Sequence, residues 1–121
     1  MTFTKLPPED LTQYVNYEEA IRRFRGNAAI YKRLLESYLA ENPYTELCES
    51  LFAGDIIPAE HHAHSLKGVA GNMSLTALLE ASTKANDELK QGSLCAETEE
   101  NLAAVMAKTT EYVTWLSENI I

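Results

Sequence analysis

The segment that decides the fold is AEHHAHSLKGVAGNMSL, residues 59–75, in which apolar side chains recur at helical spacing. On a helical wheel of about 100° per residue, Leu66, Val69 and Met73 fall on one side, and His64 falls on the opposite side. The segment therefore predicts an amphipathic helix that buries the apolar side and exposes His64 near its middle. The other residues predicted to share the His64 side are Glu60, His61, Lys67, Gly68, Gly71 and Leu75.

Apolar side chains also recur at helical spacing before and after this segment. Prolines and glycines fall mostly between the periodic segments, and few segments show the period of two that a β-strand requires. The sequence therefore predicts an all-α fold. The predicted helices cover residues 8–15, 17–25, 27–53 with a break near residue 42, 58–73, a segment that is capped by Ser74 or Thr76 and ends near Gly92, and 97–118. Asn16 and Asn27 are predicted to cap the helices that follow them.

The chain of 121 residues is predicted to form a single domain, residues 1–121. Four of the predicted helices are long and have one apolar face each, which is typical of an antiparallel four-helix bundle around a shared core. The bundle is predicted to cover residues 27–118, and the short additional N-terminal helices lie within residues 8–25.

The net charge of −8 excludes some classes of partner. Nucleic acids and anionic membranes are bound through clustered Lys and Arg, and the chain has 10 of these against 18 Asp and Glu. The N-terminus lacks an apolar segment of signal-peptide length, and no run approaches the ~20 apolar residues that span a bilayer. Cys48 and Cys95 are isolated, which is typical of a reducing compartment. We therefore expect a cytoplasmic protein that binds neither nucleic acid nor membrane.

Two glycines on the His64 side need a reason, because a glycine in an exposed helix costs about 1 kcal/mol relative to alanine. The missing side chains at Gly68 and Gly71 would clear space, so that a partner's surface can approach His64 closely. Lys67, three residues after His64, adds a positive charge beside the imidazole. A nucleophilic imidazole with a neighbouring cation and a cleared approach indicates transfer of an anionic group.

The motif around His64 resembles that of the histidine-containing phosphotransfer (HPt) family of two-component phosphorelays. The family's core reads A-H-x-L-K-G-x-A, and the chain has AHSLKGVA at residues 63–70, which matches every defined position. YKRLLESYLAENP at residues 31–43 resembles the family's helix before the motif, and LLEASTKANDELKQG at residues 78–92 resembles the helix after it. The likeness covers about residues 16–95.

The resemblance implies a phosphocarrier. His64 would be the phospho-acceptor, Lys67 the neighbour of the phosphoryl charge, and Gly68 the clearance position. Family members exchange the phosphoryl group with response-regulator receiver domains, which supply Mg²⁺, and some act with a hybrid sensor kinase; the chain is expected to need no cofactor of its own. Two positions depart from the family pattern, because Ser74 stands at a place that is commonly glycine and Tyr38 replaces a commoner phenylalanine. We expect altered packing at Ser74 and little effect at Tyr38.

The sequence contains neither a GxxxxGK(S/T) loop nor a GxGxxG loop, so we do not expect phosphorylation from ATP by this chain alone. The docking surface is expected to be an exposed apolar patch with a polar rim near His64, and its predicted partner-binding residues are His61, Gly71 and Leu75. The sequence leaves open the kinase, the response regulator, the direction of phosphate flow, the oligomeric state, and whether the protein is free-standing or a domain of a sensor kinase.

Two other functions are compatible with parts of the pattern. A scaffold or anti-regulator would keep the bundle and dock on receiver domains without carrying phosphate. A metal-binding bundle is suggested by Glu60, His61, His62 and His64, although His62 is predicted to point into the core as a packed, hydrogen-bonded residue. No Glu-x-x-His pair is present to build a di-iron site.

Overall fold

The structure is a computed structural model that describes residues 2–121, and within this range it is all-helical. A single 3-10 turn, Thr12–Tyr14, precedes six α-helices. The helices are α1 (Tyr17–Arg23), α2 (Ala28–Ala40), α3 (Tyr44–Ala53), α4 (Ile56–Asn72), α5 (Thr76–Lys90) and α6 (Ala96–Asn119). The helix predicted over residues 8–15 is therefore reduced to one 3-10 turn, because a segment this short forms too few hydrogen bonds to offset the cost of helix nucleation.

Asparagine side chains begin α1 and α2, as the sequence predicts. The side-chain oxygen of Asn16 accepts a hydrogen bond from the Glu19 N–H at 3.1 Å, and that of Asn27 accepts one from the Ile30 N–H at 3.1 Å. Each bond satisfies a backbone donor that has no partner within its own helix. These two caps are confirmed.

Asn42 separates α2 from α3 and bonds to both helices. Its side-chain Nδ2 donates to the Tyr38 carbonyl at 3.1 Å, and its Oδ1 accepts from the Tyr44 N–H at 3.0 Å. Pro43 disfavours helical geometry at the preceding residue, so the break falls at this place. The predicted break near residue 42 is confirmed.

The long helices enclose one apolar core. α4 packs against α3 and α5, α5 packs against α6, and α6 packs against α2. Each helix from α2 to α6 contributes fully buried leucines, among them Leu35, Leu47, Leu66, Leu78 and Leu116. Burial of a leucine side chain stabilises the fold by about 2 kcal/mol, so this shared core fixes the position of α4.

The turn between α4 and α5 is held by groups from the N-terminal part of the chain. Ser74 adopts a left-handed conformation with φ 57°, and its Oγ donates to Glu19 Oε1 at 2.8 Å. The Asn16 N–H donates to the Ser74 carbonyl at 2.9 Å, and the Tyr31 hydroxyl donates to the Met73 carbonyl at 2.8 Å. Burial raises the pKa of Tyr31, so its hydroxyl stays protonated and remains a donor. These bonds offset the cost of a left-handed serine.

The predicted cap of α5 by Ser74 or Thr76 is wrong. Leu75 occupies the N-cap position and provides no side-chain hydrogen bond. The Ser74 hydroxyl is bonded to Glu19, and the Thr76 hydroxyl donates to the Gln13 carbonyl at 3.3 Å. Both hydroxyls thus serve contacts with the N-terminal segment, which local sequence patterns do not reveal.

The two ends of the chain lie side by side. The Thr4 N–H donates to the Asn119 carbonyl at 2.8 Å, and the Ile121 N–H donates to the Thr2 carbonyl at 3.1 Å. Phe3 packs its ring 5.2 Å from Trp115 between ring centroids. The N-terminal segment therefore covers the end of α6.

Removal of the Ser74 hydroxyl is expected to destabilise the protein at neutral pH. Ser74→Ala keeps the left-handed strain and loses the bond to Glu19, which should lower the free energy of unfolding by about 1 kcal/mol. This bond is the main reason that the pKa of Glu19 lies below its ordinary value. The lowered pKa of Glu19 stabilises the fold at pH values above the ordinary pKa of a glutamate. This stabilisation is lost as the pH falls through the pKa that Glu19 has in the folded state.

Urea unfolding at about pH 7 and about pH 3 measures this effect, and the difference between wild type and Ser74→Ala should shrink at the lower pH. Ser74→Gly serves as the control, because it also loses the hydroxyl but relieves the left-handed strain. It should be more stable than Ser74→Ala. Equal stability of wild type and Ser74→Ala at pH 7 would show that the hydroxyl contributes nothing.

Candidate functional site

One side of α4 is a continuous exposed stripe. Ile57, His61, His64 and Gly68 follow one another at helical spacing, and all four are exposed. The opposite side of α4 is buried in the core and consists of Ala59, Ala63, Leu66 and Ala70. The predicted exposure of His64 in the middle of an amphipathic helix is therefore confirmed.

Lys67, close to His64 on α4, has no acidic partner among residues 2–121. It is half-buried one turn after His64. Glu60 is the single acid in α4 and lies two turns before Lys67, and its carboxylate accepts a hydrogen bond from Asn86 Nδ2 at 3.3 Å. Because Glu60 is held against α5, the Lys67 ammonium group remains available to an anion that reaches His64.

The structure of residues 2–121 does not explain why position 68 is a glycine. Among residues 2–121, a Cβ atom built at Gly68 would meet no atom within 4 Å apart from its chain neighbours and the nearby backbone of α4, and the backbone there has ordinary helical geometry. At Gly71 the added Cβ would lie 3.7 Å from Leu79 Cδ1, which is an ordinary contact. Neither glycine is thus required for packing or for an unusual backbone conformation. The space above Gly68 is open to a partner.

The prediction that Leu75 belongs to an exposed docking patch is wrong. Leu75 is 0 % exposed and packs in the core. α4 ends at Asn72, and the left-handed Ser74 redirects the chain before Leu75. The helical wheel was extended beyond the end of the helix, so the direction that it assigned to Leu75 does not apply.

Exposed apolar side chains lie instead at the turn between α3 and α4. Phe52 is 96 % exposed, and Ile57 is 76 % exposed on the same stripe as His64. Ile57 is not among the predicted patch residues because the sequence places the start of this helix at Pro58, whereas α4 begins at Ile56 with Pro58 in its first turn. Asp55, a residue type that is favoured at N-caps, was the signal for the earlier start.

The other two histidines occupy different surroundings. His61 is exposed on the stripe, as predicted. His62 is half-buried rather than a core residue, and it lines a shallow pocket of about 330 Å³ with Pro43 and Glu46. This pocket lies at the break between α2 and α3. Within residues 2–121, no group of three or more His, Cys, Asp or Glu side chains is placed to hold a metal ion.

Comparisons with protein-family models, with curated proteins and with solved structures found no match to this chain. Among residues 2–121, no helix combines the length and the apolar character that crossing a membrane requires.

Proposed function

We propose that the chain is a histidine phosphotransfer protein or domain of a two-component phosphorelay. The observation that carries this proposal is the exposed position of His64 in the sequence AHSLKGVA, where a Cβ added at Gly68 would have no contact within 4 Å among residues 2–121. His64 accepts a phosphoryl group from a phospho-aspartate of one receiver domain and passes it to an aspartate of another. The same sequence context suggests a cytoplasmic protein.

The transfer requires no activating base on this chain. An unprotonated imidazole nitrogen of His64 forms a bond to phosphorus as the bond between phosphorus and the aspartate oxygen breaks, and the aspartate leaves as a carboxylate. Lys67 offsets part of the phosphoryl charge. The receiver domain supplies the acidic pocket and Mg²⁺, which position the group and neutralise its charge. The chain thus acts as a phosphocarrier without a cofactor of its own.

The packing of the helices supports a four-helix bundle as the framework of this site. α2 and α3 together form one member of the bundle, broken at Asn42 and Pro43, and α4, α5 and α6 are the other three. α3 contacts α4 and α2 contacts α6, so the four members close around the core. The turn Thr12–Tyr14 and α1 are the additional N-terminal elements.

Phosphotransfer from a labelled receiver domain tests this proposal. The protein is incubated with purified receiver domains of the source organism that carry a radiolabelled phosphoryl group. We expect an acid-labile label on the protein, and peptide mapping by mass spectrometry should place it on His64. Docking without label would favour the scaffold function, and an acid-stable label would exclude phosphohistidine. Labelling by Mg²⁺-ATP alone would contradict the proposal that the chain receives its phosphoryl group from a receiver domain.

Gly68→Ala is expected to stabilise the protein while slowing phosphotransfer. The added methyl group would make no close contact with the rest of the described fold, so the free energy of unfolding should rise by about 1 kcal/mol. The same methyl group would hold the receiver away from His64, and a displacement of ~1 Å can slow a transfer step by about 100-fold. Urea unfolding and rapid-quench transfer assays measure the two effects.

The matched control for Gly68→Ala is Asn101→Ala, an exposed position in α6. This replacement also raises helix propensity, by roughly 0.5 kcal/mol, and should leave the transfer rate unchanged. A Gly68→Ala variant that transfers as fast as wild type would show that the space above Gly68 is not used.

A further inference from the structure

The arginines are concentrated in one short segment of the chain. All four arginines of the chain lie within residues 22–33, and no Asp or Glu occurs between Glu19 and Glu36, although the net charge is −8. These residues occupy the end of α1, the turn after it and the first half of α2. We name them the arginine corner: Arg22, Arg23, Arg25 and Arg33, all of which are exposed.

Most of the arginine corner has no partner within the fold. Among residues 2–121, Arg23 pairs with Glu19 at 3.4 Å, and the other three arginines form no salt bridge. Arg22 and Arg23 lie in the last turn of α1, where the helix dipole stabilises a positive charge. This explanation does not extend to Arg25, which follows α1, or to Arg33, which lies inside α2. Intramolecular stabilisation therefore does not account for the cluster.

A groove lies between Arg23 of the arginine corner and the helix that carries His64. The groove has a volume of about 440 Å³, and its lining includes Arg23, Leu34 and Glu41 together with Val69 and Asn72 of α4. Asn72 lies eight residues after His64, which is about 12 Å along the helix axis. Leu34 and Ile30 are 36 % and 43 % exposed, so apolar side chains adjoin the arginines.

We propose that the arginine corner and this groove are the docking surface for an acidic, amphipathic surface on the protein that exchanges the phosphoryl group with His64. This inference rests on the proposed phosphotransfer function. An apolar side chain of the partner occupies the groove, and carboxylates around it face the arginines. A standard protein interface covers about 800 Å² on each partner, and the groove residue Asn72 lies about 12 Å from His64 along α4.

The charge distribution favours a protein over an extended polyanion. The rest of the chain carries all 18 Asp and Glu residues, so a membrane or a nucleic acid would face strong repulsion as soon as it extended past the corner. A protein surface of limited size places its carboxylates at the unpaired arginines, and acidic residues of this chain that lie beyond a Debye length of about 8–10 Å are screened from them. The corner thus attracts a partner that the net charge would otherwise repel, and it sets the partner's orientation.

Association kinetics test the docking surface. The double variant Arg25→Glu with Arg33→Glu is compared with Lys90→Glu with Lys108→Glu, which changes the net charge equally at exposed positions on α5 and α6. The probe is a phosphorylated receiver domain that transfers its label to wild type. We expect the arginine variant to associate about tenfold more slowly at low salt, and the difference from wild type should shrink at high salt. The lysine variant should change less than twofold.

The outcomes separate this inference from the proposed function. If wild type accepts label and both double variants associate at the same rate, the docking surface is wrong and phosphotransfer stands. If wild type accepts label from no receiver domain, the proposed function fails, and the docking inference falls with it. Reduced binding of the arginine variant to anionic phosphatidylglycerol vesicles, with unchanged receiver kinetics, would identify the corner as a membrane surface and overturn the proposal. Circular dichroism of both variants verifies that they are folded.

Discussion

Replacement of His64 by glutamine is expected to abolish acid-labile phosphorylation and to leave the free energy of unfolding within about 0.5 kcal/mol of wild type. His64 is exposed, so its side chain adds little to the packing of the core. Glutamine is similar in length and favours helix, but its amide nitrogen is not a nucleophile. The variant should still dock on a receiver domain. Label transfer, urea unfolding and receiver binding measure these three properties.

His61→Gln is the matched control for His64→Gln, because His61 is exposed one turn earlier on the same stripe. It should retain the acid-labile label. His62→Gln completes the set, since the chain contains three histidines. If His64→Gln accepts as much acid-labile label as wild type, the acceptor is one of the other two and the assignment of His64 is wrong. A His64→Gln variant that is strongly destabilised would contradict the exposed position of the ring.

Leu75→Ala is expected to lower the free energy of unfolding by about 2–5 kcal/mol. Leu75 is fully buried between α4 and α5, where the backbone is held by hydrogen bonds to Ser74 and Met73. Truncation removes apolar contacts and leaves a cavity that the pinned turn cannot readily close. If Leu75 were the exposed patch that the sequence suggested, the same change would leave stability unaltered and weaken docking only.

Ile57→Ala is the matched control, because it truncates a large apolar side chain that is 76 % exposed on α4. Its effect on unfolding should stay within about 0.5 kcal/mol. Urea denaturation with equal slopes for the two variants allows their stabilities to be compared directly. A Leu75→Ala variant that is as stable as Ile57→Ala would place Leu75 outside the core.

The sequence predicted those features that depend on residues close together in the chain. Asn16 and Asn27 cap helices through backbone groups three residues away, and Asn42-Pro43 breaks a helix by local sterics. The exposure of His64 follows from the 3.6-residue period of the apolar side chains around it. These predictions needed no knowledge of the rest of the fold.

The errors arose where distant residues determine the local structure. The end of α4 depends on a left-handed Ser74 whose hydroxyl bonds to Glu19, 55 residues away in the chain. A helical wheel assumes that the helix continues through such a turn, and for this reason Leu75 was predicted on the exposed side. The half-buried position of His62 depends on where the break between α2 and α3 falls in space. The concentration of arginines within residues 22–33 is visible in the sequence, but the expectation about partners was drawn from the net charge of −8 and not from its distribution.

The pairing of Thr2 with Ile121 makes this fold a suitable scaffold for circular permutation. A linker of about two to four residues would join the paired ends into a ring. The ring could be reopened at Gly92, which is exposed in the turn after α5 with φ 104° and no neighbour within 4 Å of an added Cβ. Such a rearranged polypeptide would begin at α6, yet α4 with His64 and every helix that packs against α4 would remain uncut.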